Sequence, residues 1–277
     1  MAKEINWAEE RFVNMQKQHS LENYCPPLKS YLKPGLKVLD AGCGPGHVTV
    51  GVANHVHPGS VVGVDLEAKM IEEAKALAEK TKTSNAVFQP GDAHALEFAD
   101  GTFDLTYTTG VLHLIREPVK VLKEQRRVTK RGGWVAAMIG AWDTLIMHPP
   151  CPAYRKFIAS LKHLKDPANE DFYVNFFLGR EAVALFSQAG FEETKIEGFI
   201  CPLTFAYSGS ENFDSQYNFI KGYLTPNEQV GALKKLIELG KLDEETLAAA
   251  REEIEAWHRH PHAISLYAHV LAAGKVG

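Results

Sequence analysis

Residues Val38–Val50 read VLDAGCGPGHVTV, an apolar strand that carries the acid Asp40 near its end and runs into Gly42, Gly44 and Gly46 before a helix begins. Alternate glycines remove every Cβ where the backbone must bend sharply, so a ligand can lie against the main chain and a helix can start beside it. A second acid follows: SVVGVD ends on Asp65, within the strand–helix–strand spacing at which a carboxylate holds a ribose. A glycine-rich turn with no ligand is the bland reading, and the pairing of turn and acids on one unit favours a cofactor site. A dinucleotide fingerprint, G-x-G-x-x-G, places its last glycine one position later than Gly46 stands.

The pattern D-x-G-x-G-x-G at Asp40–Gly46 resembles the first motif of the class I S-adenosylmethionine-dependent methyltransferases. Further segments resemble later motifs of that family in order: Asp65 its ribose acid, GDAHAL at Gly91–Leu96 its adenine segment, FDLTYTTGVLHL at Phe103–Leu114 its fourth strand, and RVTKRGGWVA at Arg127–Ala136 the entry to its fifth. The resemblance is close over residues 36–140 and looser elsewhere. Within the class it is nearest to the ubiquinone/menaquinone-biosynthesis group and its small-molecule relatives. It implies S-adenosyl-L-methionine as cofactor and a doubly wound, Rossmann-like α/β fold with seven mostly parallel strands, the last antiparallel, plus helical cap and lid insertions.

Composition fits a globular enzyme. The chain has 277 residues, 45% of them hydrophobic, which is ample for a buried core. Thirty basic residues against 34 acidic ones create no polyanion-binding field, so neither nucleic acid nor an anionic membrane is expected as a partner. The densest basic stretch, Lys120–Arg131, reads as a solvated helix face with cations near its C-terminal end. Cys25, Cys43, Cys151 and Cys201 are widely spaced without a C-x-x-C pair, and no secretory leader precedes Trp7, so a reducing cytoplasm is the expected home. No apolar run has the length of a membrane span. A homodimer is compatible with the sequence.

One domain over residues 1–277 is expected. An N-terminal helical cap over 1–35 would carry a helix at 5–17, with Ile5, Trp7, Phe12 and Met15 inward, and a short helix near 20–32 interrupted at Pro26 and Pro27. The cofactor-binding core, 36–140, alternates strands near 36–41, 61–65, 86–89, 103–109 and 133–140 with helices near 46–55, 67–80 and 117–129. After Gly140 the alternation stops. Segments 141–178 and 208–260 read as substrate-side insertions, and 179–207 and 261–274 as the remaining core, with a helix at 179–190 and strands at 191–200 and 263–272.

By family resemblance the backbone at Gly42 and Gly44 contacts the methionine part, with Cys43 tucked beneath the ligand. Asp65 accepts from the ribose hydroxyls, a charge-assisted contact. Leu66 and Met70 flank the adenine, Asp92 reaches its amino group, the Ala93 amide reaches a ring nitrogen beside Gly91, and the Thr109 carbonyl meets the ammonium. Asp40 would act electrostatically near that ammonium or fix the turn by bonding its amides.

The sulfonium already makes the methyl carbon electrophilic, so no obligatory catalytic side chain is implied. His113, just beyond the fourth strand, has a pKa suited to removing a proton; a ring that packs over the ligand or binds a loop carbonyl is the other reading. His19, Tyr24 and His148 are further candidates. His258, His260 and His262 alternate in WHRHPHA, but no fourth ligand is in register and no metal is expected. Phe172, Tyr173, Phe176 and Phe177 either pack in a core or line an apolar acceptor pocket.

The resulting expectation is methyl transfer to a small, apolar or aromatic molecule. Protein or RNA methylation is the alternative, weakened by the charge balance and by TTGVLH where a D/N-P-P-[YF] motif would stand. A non-methylating relative of the same fold is another.

Overall fold

The computed structural model describes residues 13–14, 16–165, 173–224 and 231–277. The inward positions expected at Ile5, Trp7, Phe12 and Met15, and Phe172, lie outside the described residues. The described residues form two compact units: a core unit drawn from residues 13–139, Gly179–Phe199 and His269–Gly277, and a second unit drawn from Gly140–Leu178 and Ile200–Ala268.

The strands are β1 Lys37–Ala41, β2 Ser60–Asp65, β3 Ala86–Pro90, β4 Phe103–Thr109, β5 Thr129–His148, β6 Thr194–Ile200, β7 Ala206–Tyr207 and β8 Ile264–Lys275. The helices are α1 His47–Val56, α2 Ala68–Thr81, α3 Pro118–Val128, α4 Pro152–Ser160, α5 Ala182–Gln188, α6 Phe213–Leu224, α7 Gly231–Glu238 and α8 Glu244–His258. Sheet order is β3-β2-β1-β4-β5-β8-β6, with the two-residue β7 added beside β8. The sheet is mostly parallel with one antiparallel strand, a Rossmann-like α/β arrangement.

Burial on both faces explains why the core strands read as unbroken apolar runs. In β1, Val38 packs with Leu21, Val48, Val52 and Leu105, while its neighbour Leu39 packs with Val64, Leu96 and Phe103 in a separate cluster. Successive side chains point to opposite faces, and each meets a hydrophobic layer. The chain leaves β1 for β2 and returns for β4 on β1's other side, so the strand order reverses at the carboxyl end of β1. Such a reversal leaves a crevice in open α/β sheets.

Local departures from the sequence expectation have physical causes. The helix expected near 20–32 is a tighter 3-10 turn at Pro26–Tyr31, because two leading prolines supply no N–H to a longer ladder. Ahead of it Ser20 and Asn23 close a turn reciprocally, at 2.7 and 3.1 Å. The fifth strand was expected to end at 140, with no strand pattern beyond; it runs on to His148. Thr144 Oγ1 accepts the Ala268 N–H at 2.7 Å and the Trp142 N–H reaches the Phe176 carbonyl at 3.3 Å, partners remote in sequence that give this mixed stretch extended neighbours. Residues 200–207 and 261–268, expected with the core, cluster with the second unit, where Ala206 and Tyr207 pair antiparallel with Ser265 and Ile264.

In the second unit α4 and α8 pack together. Glu253 of α8 caps α4 by accepting the Ala153 and Tyr154 N–H groups at 3.1 and 2.9 Å. A carboxylate at a helix N-terminus satisfies otherwise orphaned donors and opposes the helix dipole.

Candidate functional site

Three glycines set the backbone of the turn after β1. Gly42, Gly44 and Gly46 have φ values of +85°, +53° and +81°, a region side chains rarely enter. A Cβ on Gly42 would stand 2.5 Å from Val111 Cγ2, and one on Gly44 would stand 2.5 Å from Gln16 Oε1. The turn is tied to β2: the Gly42 and Cys43 N–H groups donate to the Val64 carbonyl at 2.8 and 2.9 Å. Cys43 is buried with Val50, Ile71, Ala74 and Phe88, under the turn. All four cysteines are free and buried.

Asp65 closes the turn from the other side. Its carboxylate accepts the Gly44 N–H at 2.8 Å and the Glu67 N–H at 3.0 Å, so the ribose acid of the sequence reading also shapes the glycine loop. Burial raises its pKa, and these amide donors hold it back. Leu66 beside it is 69% exposed, a large apolar side chain left uncovered at the strand end. Met70 is 1% exposed and offers no free face. On α2 it is buried with Ile71 and Ala74 on the core face of the helix.

Asp40 is 1% exposed, between Gly63 of β2 and Tyr107 of β4 in the strand register. Its Oδ2 accepts from Thr49 Oγ1 and from the Tyr107 hydroxyl, both at 2.7 Å. Its Oδ1 has no hydrogen-bond partner among the described residues. Burial raises the Asp40 pKa to about 7, against the lowering by Thr49 and Tyr107, with the Asp65 charge adding to the rise. Of its two sequence readings, the bonds seen go to side chains of α1 and β4 and not to amides of the glycine loop.

At the end of β3 the Gly91 N–H donates to the Asp65 carbonyl at 3.0 Å, bringing the third-strand segment beside the acid. Asp92 Oδ1 accepts from the His94 N–H at 2.8 Å and meets His94 Nδ1 at 2.9 Å. Partial burial raises its pKa, and the His94 bonds outweigh that to lower it overall. Ala93, half-buried, packs against the layer around Val64 and Leu96. Thr109 ends β4 opposite Met138 of β5 and leads into Gly110, at φ +67°.

Beyond β4 the core unit gathers rings from three distant segments. A Cβ on Gly110 would stand 2.6 Å from the Tyr24 hydroxyl. His19 stacks on Tyr24 with centroids 3.7 Å apart, and Tyr24 meets His269 edge-on at 6.0 Å. Burial lowers the pKa of His113 to about 4. Burial, then the neighbouring His269 and His47, lower His19 to about 3; burial, then His113, lower His269 to about 3. All of these imidazoles are neutral at pH 7. Sequence reasoning named His19, Tyr24 and His113 and missed His269, whose one signal was a lone imidazole at an inward position of the apolar run in β8.

His148 belongs to the second unit, where its ring meets His260 at 5.9 Å. His258 faces Asp214 Oδ1 at 2.8 Å and stacks on Tyr217 at 3.8 Å, while His260 Nδ1 accepts the His262 N–H at 3.2 Å. Among the described residues no three His, Cys, Asp or Glu side chains are grouped to hold a metal ion, and no helix is long and apolar enough to cross a membrane.

Comparison with known proteins adds to this geometry. Residues 32–165 match the profile of a family described as a methyltransferase domain. An uncharacterized methyltransferase of Schizosaccharomyces pombe is 39% identical over 111 residues, 38% of this chain and 40% of that protein, so the chain spans well under two thirds of it. A demethylmenaquinone methyltransferase of Staphylococcus saprophyticus is 32% identical over 61% of this chain and 75% of its own length. The crystal structure of YcgJ from Bacillus subtilis superposes with a TM-score of 0.59 at 22% identity, over 91% of this chain and 97% of that one, a likeness of fold.

Proposed function

The chain belongs to the class I S-adenosylmethionine-dependent methyltransferases, in the ubiquinone/menaquinone-like group, and from that membership we propose that it transfers the methyl group in line to a small, apolar or aromatic acceptor. S-adenosyl-L-methionine is its cofactor, and when bound it supplies a methyl carbon made electrophilic by the adjacent sulfonium. The residues around the glycine turn fit this ligand. The buried Asp40 Oδ1 lacks a donor among the described residues, and the cofactor's ammonium would give it one. Val111 and Gln16 pack so closely on Gly42 and Gly44 that neither position tolerates a Cβ, and the bare backbone of this turn suits close approach by the methionine part. Asp65 keeps a lone pair for the ribose hydroxyls beyond its bonds to the Gly44, Leu66 and Glu67 amides. Exposed Leu66 offers an apolar surface for the adenine, with Asp92 and the Ala93 amide for its polar edge.

The orphaned Asp40 oxygen is the observation that carries the cofactor assignment to particular residues. Three features support a small acceptor: a formal net charge of −4, which gives no field for nucleic acid; the aromatic cluster around Trp142 in the second unit; and a relative that bears the name demethylmenaquinone methyltransferase. In this reading His113, kept neutral by burial, accepts the proton an acceptor hydroxyl or thiol gives up. Its low pKa makes it a weak base, so its role is to receive a proton as the bond to carbon forms.

Methyl-labelled cofactor offered to fractionated metabolite pools, and separately to total protein and RNA, tests this. Label in a small-molecule fraction with stoichiometric S-adenosylhomocysteine is the expected result. Label in protein or RNA alone would reverse the acceptor class, and cofactor binding with no S-adenosylhomocysteine from any pool would leave a non-methylating member of the fold.

A further inference from the structure

β6, Thr194–Ile200, ends the sheet order, paired with β8 on one side and with no strand on the other among the described residues. Its residues 194–199 belong to the core unit. Such an edge offers unpaired N–H and C=O groups to any strand laid beside it. Lys195, Ile196, Glu197 and Gly198 are all exposed, and a Cβ on Gly198 would meet nothing within 4 Å. Ile196, in the middle of this run, is 45% exposed. The other edge strand, β3, is five residues long, ends on Pro90 and carries no charged side chain.

The two-residue period of a strand sorts the side chains of β6. Lys195 Nζ lies over the Trp134 ring at 4.9 Å, and Phe199 packs against the layer that holds Trp134 and Tyr31. Burial, then the Glu197 charge, raise the Tyr31 pKa. Lys195, Glu197 and Phe199 therefore share one face, and Ile196 and Gly198 share the other. Charges on an edge strand ordinarily guard it against pairing. The order Lys-Ile-Glu does the reverse for one partner, because it complements itself when read backwards. If two such strands run antiparallel about a two-fold axis at Ile196, each Lys195 stands opposite the second copy's Glu197, and Ile196 stands opposite its own counterpart. Moving the axis one residue either way sets Lys195 against Lys195 or Glu197 against Glu197, and directly opposed like charges disfavour pairing.

We propose that β6 is a self-association edge, on which a second copy of this chain lays its own β6 antiparallel about Ile196 to make one continuous sheet across two molecules. Main-chain hydrogen bonds hold the strands together, the two Lys195–Glu197 pairs set the register, and the facing Ile196 side chains add an apolar contact. The surface is narrow, so association is weak and depends on concentration. This inference stands on the sheet edge alone and is independent of the cofactor and the methyl acceptor.

Sedimentation velocity of the full chain, from roughly 1 to 500 μM, should show a monomer–dimer equilibrium. Glu197→Lys and Lys195→Glu each create two like-charge oppositions, and each should weaken self-association at least about tenfold. Mixed together, the two variants should form a heterodimer, since one strand then carries only lysines and the other only glutamates at these positions. The double variant Lys195→Glu with Glu197→Lys, in which the charges are exchanged, should dimerise like the unaltered chain. Thermal melting reports whether each variant folds. Should one not fold, the unaltered chain decides: its dissociation constant should rise severalfold between about 0.05 and 0.5 M salt, and indifference to salt would overturn the paired charges. A chain that is monomeric at every concentration overturns the proposal, even if it captures an extended peptide of another protein on this edge. A dimer that both single reversals leave intact does the same by placing the contact elsewhere, as do single variants that stay apart when mixed.

Discussion

Tyr107 donates its hydroxyl hydrogen to Asp40 at 2.7 Å across the β1–β4 pair, 67 residues away in sequence. Both side chains are buried, so this bond stabilises a carboxylate that water cannot reach. Tyr107→Phe should destabilise the fold by about 1–3 kcal/mol in urea denaturation, the range for a lost bond to a buried charged group. Unchanged stability would mean Asp40 is protonated and the bond contributes little.

If Asp40 meets the cofactor's ammonium as proposed, cofactor affinity should depend on pH. The Asp40 pKa, raised to about 7 by burial, leaves the group partly protonated at neutrality, and the cofactor's ammonium favours the ionised form. Binding should therefore release protons and strengthen as pH rises from 6 to 8. Calorimetric titrations in buffers of different ionisation enthalpy would show the release, and Asp40→Asn should bind more weakly with the slope lost.

The glycines of the turn should separate binding from stability. On Gly44 an added Cβ meets only the end of the flexible Gln16 side chain, whereas on Gly46 it meets Ala74 and Phe88 at 2.9 and 3.0 Å in the core. Both alanines carry the strain of positive φ, about 1–2 kcal/mol. Gly44→Ala should cost cofactor affinity with little further loss of stability, and Gly46→Ala should cost additional stability through overpacking. Melting curves with and without S-adenosylhomocysteine would distinguish them.

The core unit should lose stability in acid. His113, His19 and His269 have folded-state pKa values lowered to about 4, 3 and 3 by burial, so between there and 6.5 the unfolded chain binds more protons. Their contribution is complete above pH 6.5 and falls as pH drops through that window. Asp40 acts oppositely, since its raised pKa favours the folded state most below pH 3.8 and loses that benefit as pH rises through about 7. Asp65, also raised by burial, acts with Asp40, and His47, lowered by burial, acts with the three imidazoles. The histidines outnumber the acids, so urea midpoints should fall from pH 7 to pH 5, and His269→Leu should flatten the fall.

His113→Ala should cut turnover while leaving cofactor affinity intact if the ring receives the proton. Equal losses in both would make it a packing residue over the ligand.

The order of strands and helices through 140, the glycine turn and both acids were legible in the sequence, because they rest on local rules: apolar runs buried on two faces, a helical repeat in α2, and glycines where φ is positive. Partnerships between distant segments were not. Asp40 could be read as a site residue, but its bonds to Thr49 and Tyr107 follow from β1 lying beside β4 and under α1. The continuation of β5 past Gly140 and the inward placement of Ser265, Gln216 and His269 likewise depend on which remote segment packs opposite, a choice made by the whole chain's hydrophobic burial and by no short stretch of it.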